Sequence, residues 1–166
     1  PFGHADYSGS PLCLGNIISF NNFKGYCTGP MSIILQMNYA NHDGTIIANN
    51  TIAQGSYGIN LCGNNVSVYG NTIYNSGNGI SVSGSNFSIK YNSVTGNSQS
   101  SGISASGNEN TNCEVYKNNI TFNDVLNGIS ASNFVKVYDN NINIKGYGVG
   151  ISVNNNNSSI FNNTIK

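Results

Sequence analysis

A chain of 166 residues, 38% of them hydrophobic, can bury one continuous core but not two sizeable ones, so a single domain spanning residues 1–166 is expected. Charged residues make up 7%, the formal net charge is zero and the six basic residues are all Lys; phosphate binding needs clustered positive charge and usually Arg forks, which argues against nucleic acid as a partner. The chain has no run of about 18 apolar residues, so no membrane span is expected.

Residues 1–49 read as irregular and residues 50–166 as regular. The chain opens on Pro1 rather than Met, as a mature form after signal removal or a piece of a longer chain would. Four cysteines (Cys13, Cys27, Cys62, Cys113) form none of the close pairs of zinc or redox motifs. With few charges and many amides and hydroxyls, an extracellular or cell-surface setting is expected, with one disulfide near the N-terminus whose partners the spacing leaves open. A first recurring step is read at Asn16/Ile18, which places Cys13 in the column of Ile47 and Val68. From Ile18 to Ile52 the chain holds about 12 residues more than later repeats, assigned to 20–31 and 37–43 with Cys27 and Pro30 among them. Such an insertion caps the core or carries a binding surface, capping being the simpler reading.

From there on three steps recur in fixed order. An Asn-x-(Ile/Val) step, counted from Asn16/Ile18, returns at Asn50/Ile52, Asn71/Ile73, Asn92/Val94, Asn118/Ile120, Asn140/Ile142 and Asn163/Ile165, with spacings of 34, 21, 21, 26, 22 and 23 residues. A Gly-Ile step begins at Gly58, Gly79, Gly102, Gly128 and Gly150. An alternating apolar step (Thr45/Ile47, Val66/Val68, Phe87/Ile89, Cys113/Val115, Val135/Val137, Ser158/Ile160) ends three residues before each Asn. Period two over a few residues, bounded by Gly, Asn or Ser, marks a short strand with one buried face. One coil cannot bury that face alone, whereas stacked coils enclose a common core.

The fold expected is therefore all-β: a right-handed parallel β-helix of about six coils, roughly 22 residues and three strands each. A leucine-rich repeat needs several Leu per turn, and this chain has five in all. From Asn16 to Lys166 the pattern resembles the parallel β-helix repeats of pectate-lyase-like solenoids and of bacterial and archaeal cell-surface β-helix proteins. That resemblance implies that the corner residues Asn16, Asn50, Asn71, Asn92, Asn118, Asn140 and Asn163 stack as an amide ladder, a structural role.

Little in the columns suggests chemistry. A pectinase-like enzyme needs carboxylates converging on adjacent coils. Of the six acids (Asp6, Asp43, Glu109, Glu114, Asp124, Asp139) no two share a column on neighbouring coils. Glu114 falls beside Lys136, and Lys117 beside Asp139, which reads as cross-strand pairing. His4 and His42 lie near Asp6 and Asp43 on the N-terminal side, the one place where a polysaccharide-cleaving site is conceivable. Outward positions of the alternating step carry Tyr69, Lys90, Tyr116, Tyr138 and Phe161, a contact stripe for a protein neighbour or for sugar rings. An outward Thr array beside the Asn step is interrupted by Tyr74 and by Asn, against an ice-binding face. Glycosylation sequons begin at Asn49, Asn65, Asn86, Asn119, Asn156, Asn157 and Asn162, near chance frequency for this composition.

No metal, cofactor or catalytic residue is assigned. The functional expectation is a non-enzymatic extracellular structural protein that joins head to tail into a filament or surface layer. It rests on the final Asn step at Asn163, which no cap follows, and on residues before Asn16 that would complete a part-coil. The alternative is a carbohydrate-binding or carbohydrate-cleaving β-helix, an adhesin or a polysaccharide lyase or hydrolase.

Overall fold

The computed structural model describes residues 15–24, 33–37, 42–53, 57–74, 77–96, 100–155 and 157–166, with the backbone alone at 24 and 33–37. Strands follow one another in threes. The first turn holds β1 (Ile17–Ser19), β2 (Asn22–Lys24) and β3 (Ile33–Met37), the second β4 (Ile46–Ala48), β5 (Thr51–Ala53) and β6 (Tyr57–Cys62). Then come β7 (Ser67–Tyr69), β8 (Thr72–Tyr74) and β9 (Asn78–Ser83), followed by β10 (Ser88–Lys90), β11 (Ser93–Gly96) and β12 (Ser101–Ser106). The later turns are β13 (Cys113–Tyr116), β14 (Asn119–Phe122) and β15 (Asn127–Ser132), then β16 (Val135–Tyr138), β17 (Asn141–Ile144) and β18 (Val149–Asn154), ending with β19 (Ser159–Phe161) and β20 (Thr164–Ile165).

Every third strand pairs in parallel. The first sheet runs β1-β4-β7-β10-β13-β16-β19, the second β2-β5-β8-β11-β14-β17-β20, and the third β3-β6-β9-β12-β15-β18. The fold is a parallel β-helix, as the steps predict: alternating steps build the first sheet, Asn steps the second and Gly-Ile steps the third. Identical side chains land on one another because the register is in phase, Ile103 against Ile80 and Ile129, for example. The inward columns are Ile47, Val68, Ile89, Val115 and Val137, then Ile52, Ile73, Val94, Ile120 and Ile142, then Ile59, Ile80, Ile103 and Ile129, all 0–1% exposed. β-Branched chains suit this pleated, fully enclosed surface, and each contributes roughly 1.5–3 kcal/mol by burial.

One corner is constant and two are not. From first to second sheet the inward residue always recurs five residues on, as Ile18 to Phe23, Ile47 to Ile52 and Val115 to Ile120. The other corners vary, and the long loops, including that at 107–112, lie there. At the constant corner Phe20, Asn49, Gly70, Tyr91, Lys117, Asp139 and Asn162 all take the left-handed conformation, with φ between 53° and 65°. A left-handed residue costs a non-glycine chain roughly 1 kcal/mol or more, so this corner needs a compensating interaction in every coil.

The first coil departs from the sequence reading. Ile18 pairs with Ile47 and so belongs to the first sheet, while Phe23 pairs with Ile52. Asn16 is therefore not a ladder residue; Asn21 is, and its coil is longer by fewer residues than the Asn16 register implied. Asn16-x-Ile18 and Asn21-x-Phe23 both fit the motif, and only their pairing with the next coil separates them. Ile18 takes the first-coil position in the column of Ile47, the column read for Cys13; Cys13, Cys27 and Pro30 lie outside the described residues.

Candidate functional site

The amide ladder runs through the constant corner. In each coil the Asn Oδ1 accepts both the backbone N–H and the Nδ2–H of the Asn one coil earlier: Asn71 accepts from Asn50, Asn92 from Asn71, Asn118 from Asn92 and Asn140 from Asn118, at 3.0 Å throughout. Each Nδ2 also donates to a carbonyl of the preceding coil, as Asn71 to Ile47 and Asn118 to Ile89 at 2.9 Å, and most donate to the carbonyl two residues back. Asn50, Asn71, Asn92, Asn118 and Asn140 are 0–1% exposed, so the amides satisfy buried backbone where the left-handed turn removes sheet partners. Asn21 opens the ladder and Asn163 closes it.

The outward stripe is a stack of rings. Tyr116 and Tyr138 lie 4.8 Å apart at 3° between planes, and Tyr138 and Phe161 4.9 Å apart at 4°. Lys90 interrupts the aromatic column and places its ammonium 5.9 Å from the Tyr69 ring and 5.7 Å from that of Tyr116. Rings stacked along the rod cover one another's faces, so only their edges meet solvent; sugar stacking needs an open face, and mid-stack none remains. The Tyr138 hydroxyl is held above the usual tyrosine range, first by burial and then by the Glu114 carboxylate. Glu114 stands 3.9 Å from Lys136 at a partly exposed site, a contact worth less than about 1 kcal/mol. Lys117 turns its ammonium over the Tyr91 ring, 5.7 Å away, rather than pairing with Asp139 as the sequence suggested.

The N-terminal side does not assemble a catalytic pair from the residues described. Asp43 Oδ1 accepts the Asn64 N–H at 2.7 Å, which commits it to the turn. His42 is 3% exposed, and neither of its ring nitrogens, nor the buried Thr45 Oγ1, has a hydrogen-bond partner among the described residues. His4 and Asp6 lie outside them. Among the described residues no group of three His, Cys, Asp or Glu could hold a metal ion. Cys62 and Cys113 are free thiols, one exposed and one buried.

Burial lowers the His42 pKa below its ordinary value. The unfolded chain therefore binds a proton at higher pH than the folded chain does, and stability is full above about pH 6.5 and falls as pH drops below it. Melting curves between pH 8 and pH 5 are expected to show this loss, and His42→Phe is expected to flatten it; a profile identical in parent and variant would assign the acid sensitivity elsewhere.

The sequons have a backbone explanation. Asn49, Asn65, Asn86, Asn157 and Asn162 are exposed left-handed turn residues, the conformation Asn tolerates best after Gly. Asn119 is exposed at the start of β14, its Oδ1 accepting from Asn141, and Asn156 lies outside the described residues. Large hydrophobic side chains are exposed both in the first coil, at Ile17 and Phe20, and in the last strands, at Ile160, Phe161 and Ile165. Among the described residues no helix is long and apolar enough to cross a membrane. No family model, no curated protein and no solved structure matches the chain, and its own architecture identifies it as a parallel β-helix repeat protein.

Proposed function

We propose that this chain is a non-enzymatic, extracellular structural protein whose β-helix joins head to tail with further copies. The observation that carries the reading is uncovered apolar surface: Ile160 and Ile165 occupy columns whose members from Ile47 to Val137 and from Ile52 to Ile142 are 0–1% exposed, yet stand half in solvent beside the edges of β18, β19 and β20. Such an edge is a template for another strand, and neither Lys-rich nor Pro-blocked strands guard it. Contact between unlike ends propagates a filament unless a rotation closes it into a ring. The extracellular setting is inferred from the amide- and hydroxyl-rich, charge-poor composition.

Light scattering and electron microscopy of the purified chain across a wide concentration range test this. Mass rising with concentration, and rods with the width of one β-helix, are expected; a monodisperse monomer throughout would overturn it. The carbohydrate-cleaving alternative predicts turnover on a panel of acidic and neutral polysaccharides that Asp43→Ala abolishes, whereas no turnover is expected here.

A further inference from the structure

The outward column of the first sheet brings two tyrosines together on neighbouring coils. Tyr116 in β13 pairs in register with Tyr138 in β16, and their rings lie 4.8 Å apart and parallel to within 3°. Among the described residues they are the one stacked pair of phenols, and the column itself bounds the pair. On one side Lys90 separates Tyr116 from Tyr69, its ammonium 5.7 Å from the Tyr116 ring. On the other, Phe161 stacks on Tyr138 at 4.9 Å but carries no hydroxyl. Tyr91 meets Tyr116 edge to face at 6.2 Å. Tyr116 and Tyr138 are both partly exposed, and the ring edges that carry the hydroxyl and the carbons ortho to it face solvent.

Two phenols held in this way are placed for a reaction that neither undergoes alone. A one-electron oxidant takes an electron and the hydroxyl proton from a tyrosine, and the phenoxyl radical that results carries unpaired spin on its ortho carbons. Two such radicals couple through one ortho carbon each; the hydrogen on each of those carbons then moves to its own ring's oxygen, leaving two phenols joined by a carbon–carbon bond. In that product the ring centres stand two ring radii and one bond apart, within about half an ångström of the 4.8 Å at which the sheet already holds them. Turning each ring about its Cβ–Cγ bond brings the edges together with little movement of the strands. Because both radicals sit in contact, coupling within the chain outruns an encounter between molecules at low concentration. The Tyr138 hydroxyl, kept protonated first by burial and then by the Glu114 carboxylate, gives up its proton together with its electron.

We propose that Tyr116 and Tyr138 form an oxidative modification site, at which a haem peroxidase with hydrogen peroxide joins neighbouring coils by an ortho–ortho bond between the two rings. One peroxide accepts the two electrons and two protons and leaves as two waters, so the reaction balances. The bond staples β13 to β16 in a chain whose described cysteines, Cys62 and Cys113, are free thiols. It restricts the unfolded chain by closing a loop through one coil, which raises the melting temperature. The site lies within one chain and is independent of association between copies.

The test treats the full chain, at low concentration, with a haem peroxidase and hydrogen peroxide. Expected are a monomer lighter by two hydrogens, the blue fluorescence of a biphenol and, after proteolysis, linked peptides carrying Tyr116 and Tyr138. Tyr116→Phe and Tyr138→Phe keep a stacked ring, as Phe161 does, and each is expected to abolish that product, whereas Tyr91→Phe is expected to retain it; circular dichroism verifies that each variant is folded. In concentrated urea, where the stack is lost, the Tyr116–Tyr138 link is expected to disappear. The purified cross-linked monomer is expected to melt above the untreated chain. No biphenol in the folded parent, links formed only at other tyrosines or only between copies, or an undiminished yield from Tyr138→Phe or from the chain in urea would each overturn the site, and an unchanged melting temperature would overturn the stapling role.

Discussion

Replacing Asn118 by Ala is expected to destabilise the protein by about 3 kcal/mol and to lower its melting temperature by roughly 6–12 °C. The number follows from what the amide holds. Its Oδ1 accepts the N–H and Nδ2–H of Asn92, and its Nδ2 donates to Ile89, Tyr116 and Asn140. Ala would leave the Asn92 N–H buried without its acceptor and remove one bond each from the Ile89, Tyr116 and Asn140 oxygens, and an unmade buried bond costs about 1–3 kcal/mol. It would also leave Lys117 in a left-handed turn with nothing to offset its strain. Asn119→Ala, an exposed residue outside the ladder, serves as the contrast and is expected to cost far less. Equal melting of Asn118→Ala and parent would mean that the corner is held by something other than its amides.

Gly128→Ala should be worse, and for a different reason. Its Cβ would sit 2.6 Å from the Gly150 carbonyl oxygen and 2.7 Å from the Ile142 Cγ2, both closer than real Cβ contacts come. Neither neighbour can swing away: one is backbone within β18, the other a fully buried core side chain. The coils must separate locally or the inward column must shift, and overpacking of this kind costs about 1–3 kcal/mol and occasionally more. Because each coil contacts only its neighbours, the lesion is expected to divide the stack rather than unfold it evenly. Hydrogen exchange should show protection lost first in β15 and β18, with β6 and β9 retained. The same substitution at Gly15, where a Cβ meets nothing within 4 Å but φ is +65°, tests left-handed backbone strain alone, a cost that Gly128 does not carry.

The repeat was legible because stacking is a one-dimensional problem. Period-two alternation, bounded by Gly and Asn and recurring at about 22 residues, admits few folds. From Asn50 onward each Asn, each Gly-Ile step and each alternating pair stands in the sheet its pattern implied. The misplaced element was the first coil, where two overlapping motifs, Asn16-x-Ile18 and Asn21-x-Phe23, are locally indistinguishable. Only pairing with β4 and β5 separates them, since a register is a relation between coils and not a property of either. The same holds for the aromatic stripe: its membership was readable, but that its rings cover one another's faces depends on side-chain torsions.

The sequence by itself determined the architecture: three short strands per coil, an apolar column inside each, amides at one corner, and the want of clustered charge. These follow from the pattern of side-chain polarity along the chain, which acts locally. The tertiary structure alone decided which Asn of the first coil joins the ladder and why the corner before it is left-handed even at Tyr91 and Lys117. Those facts concern how one coil meets the next, and the partners that settle them lie twenty or more residues away in sequence and about 4.8 Å away in space.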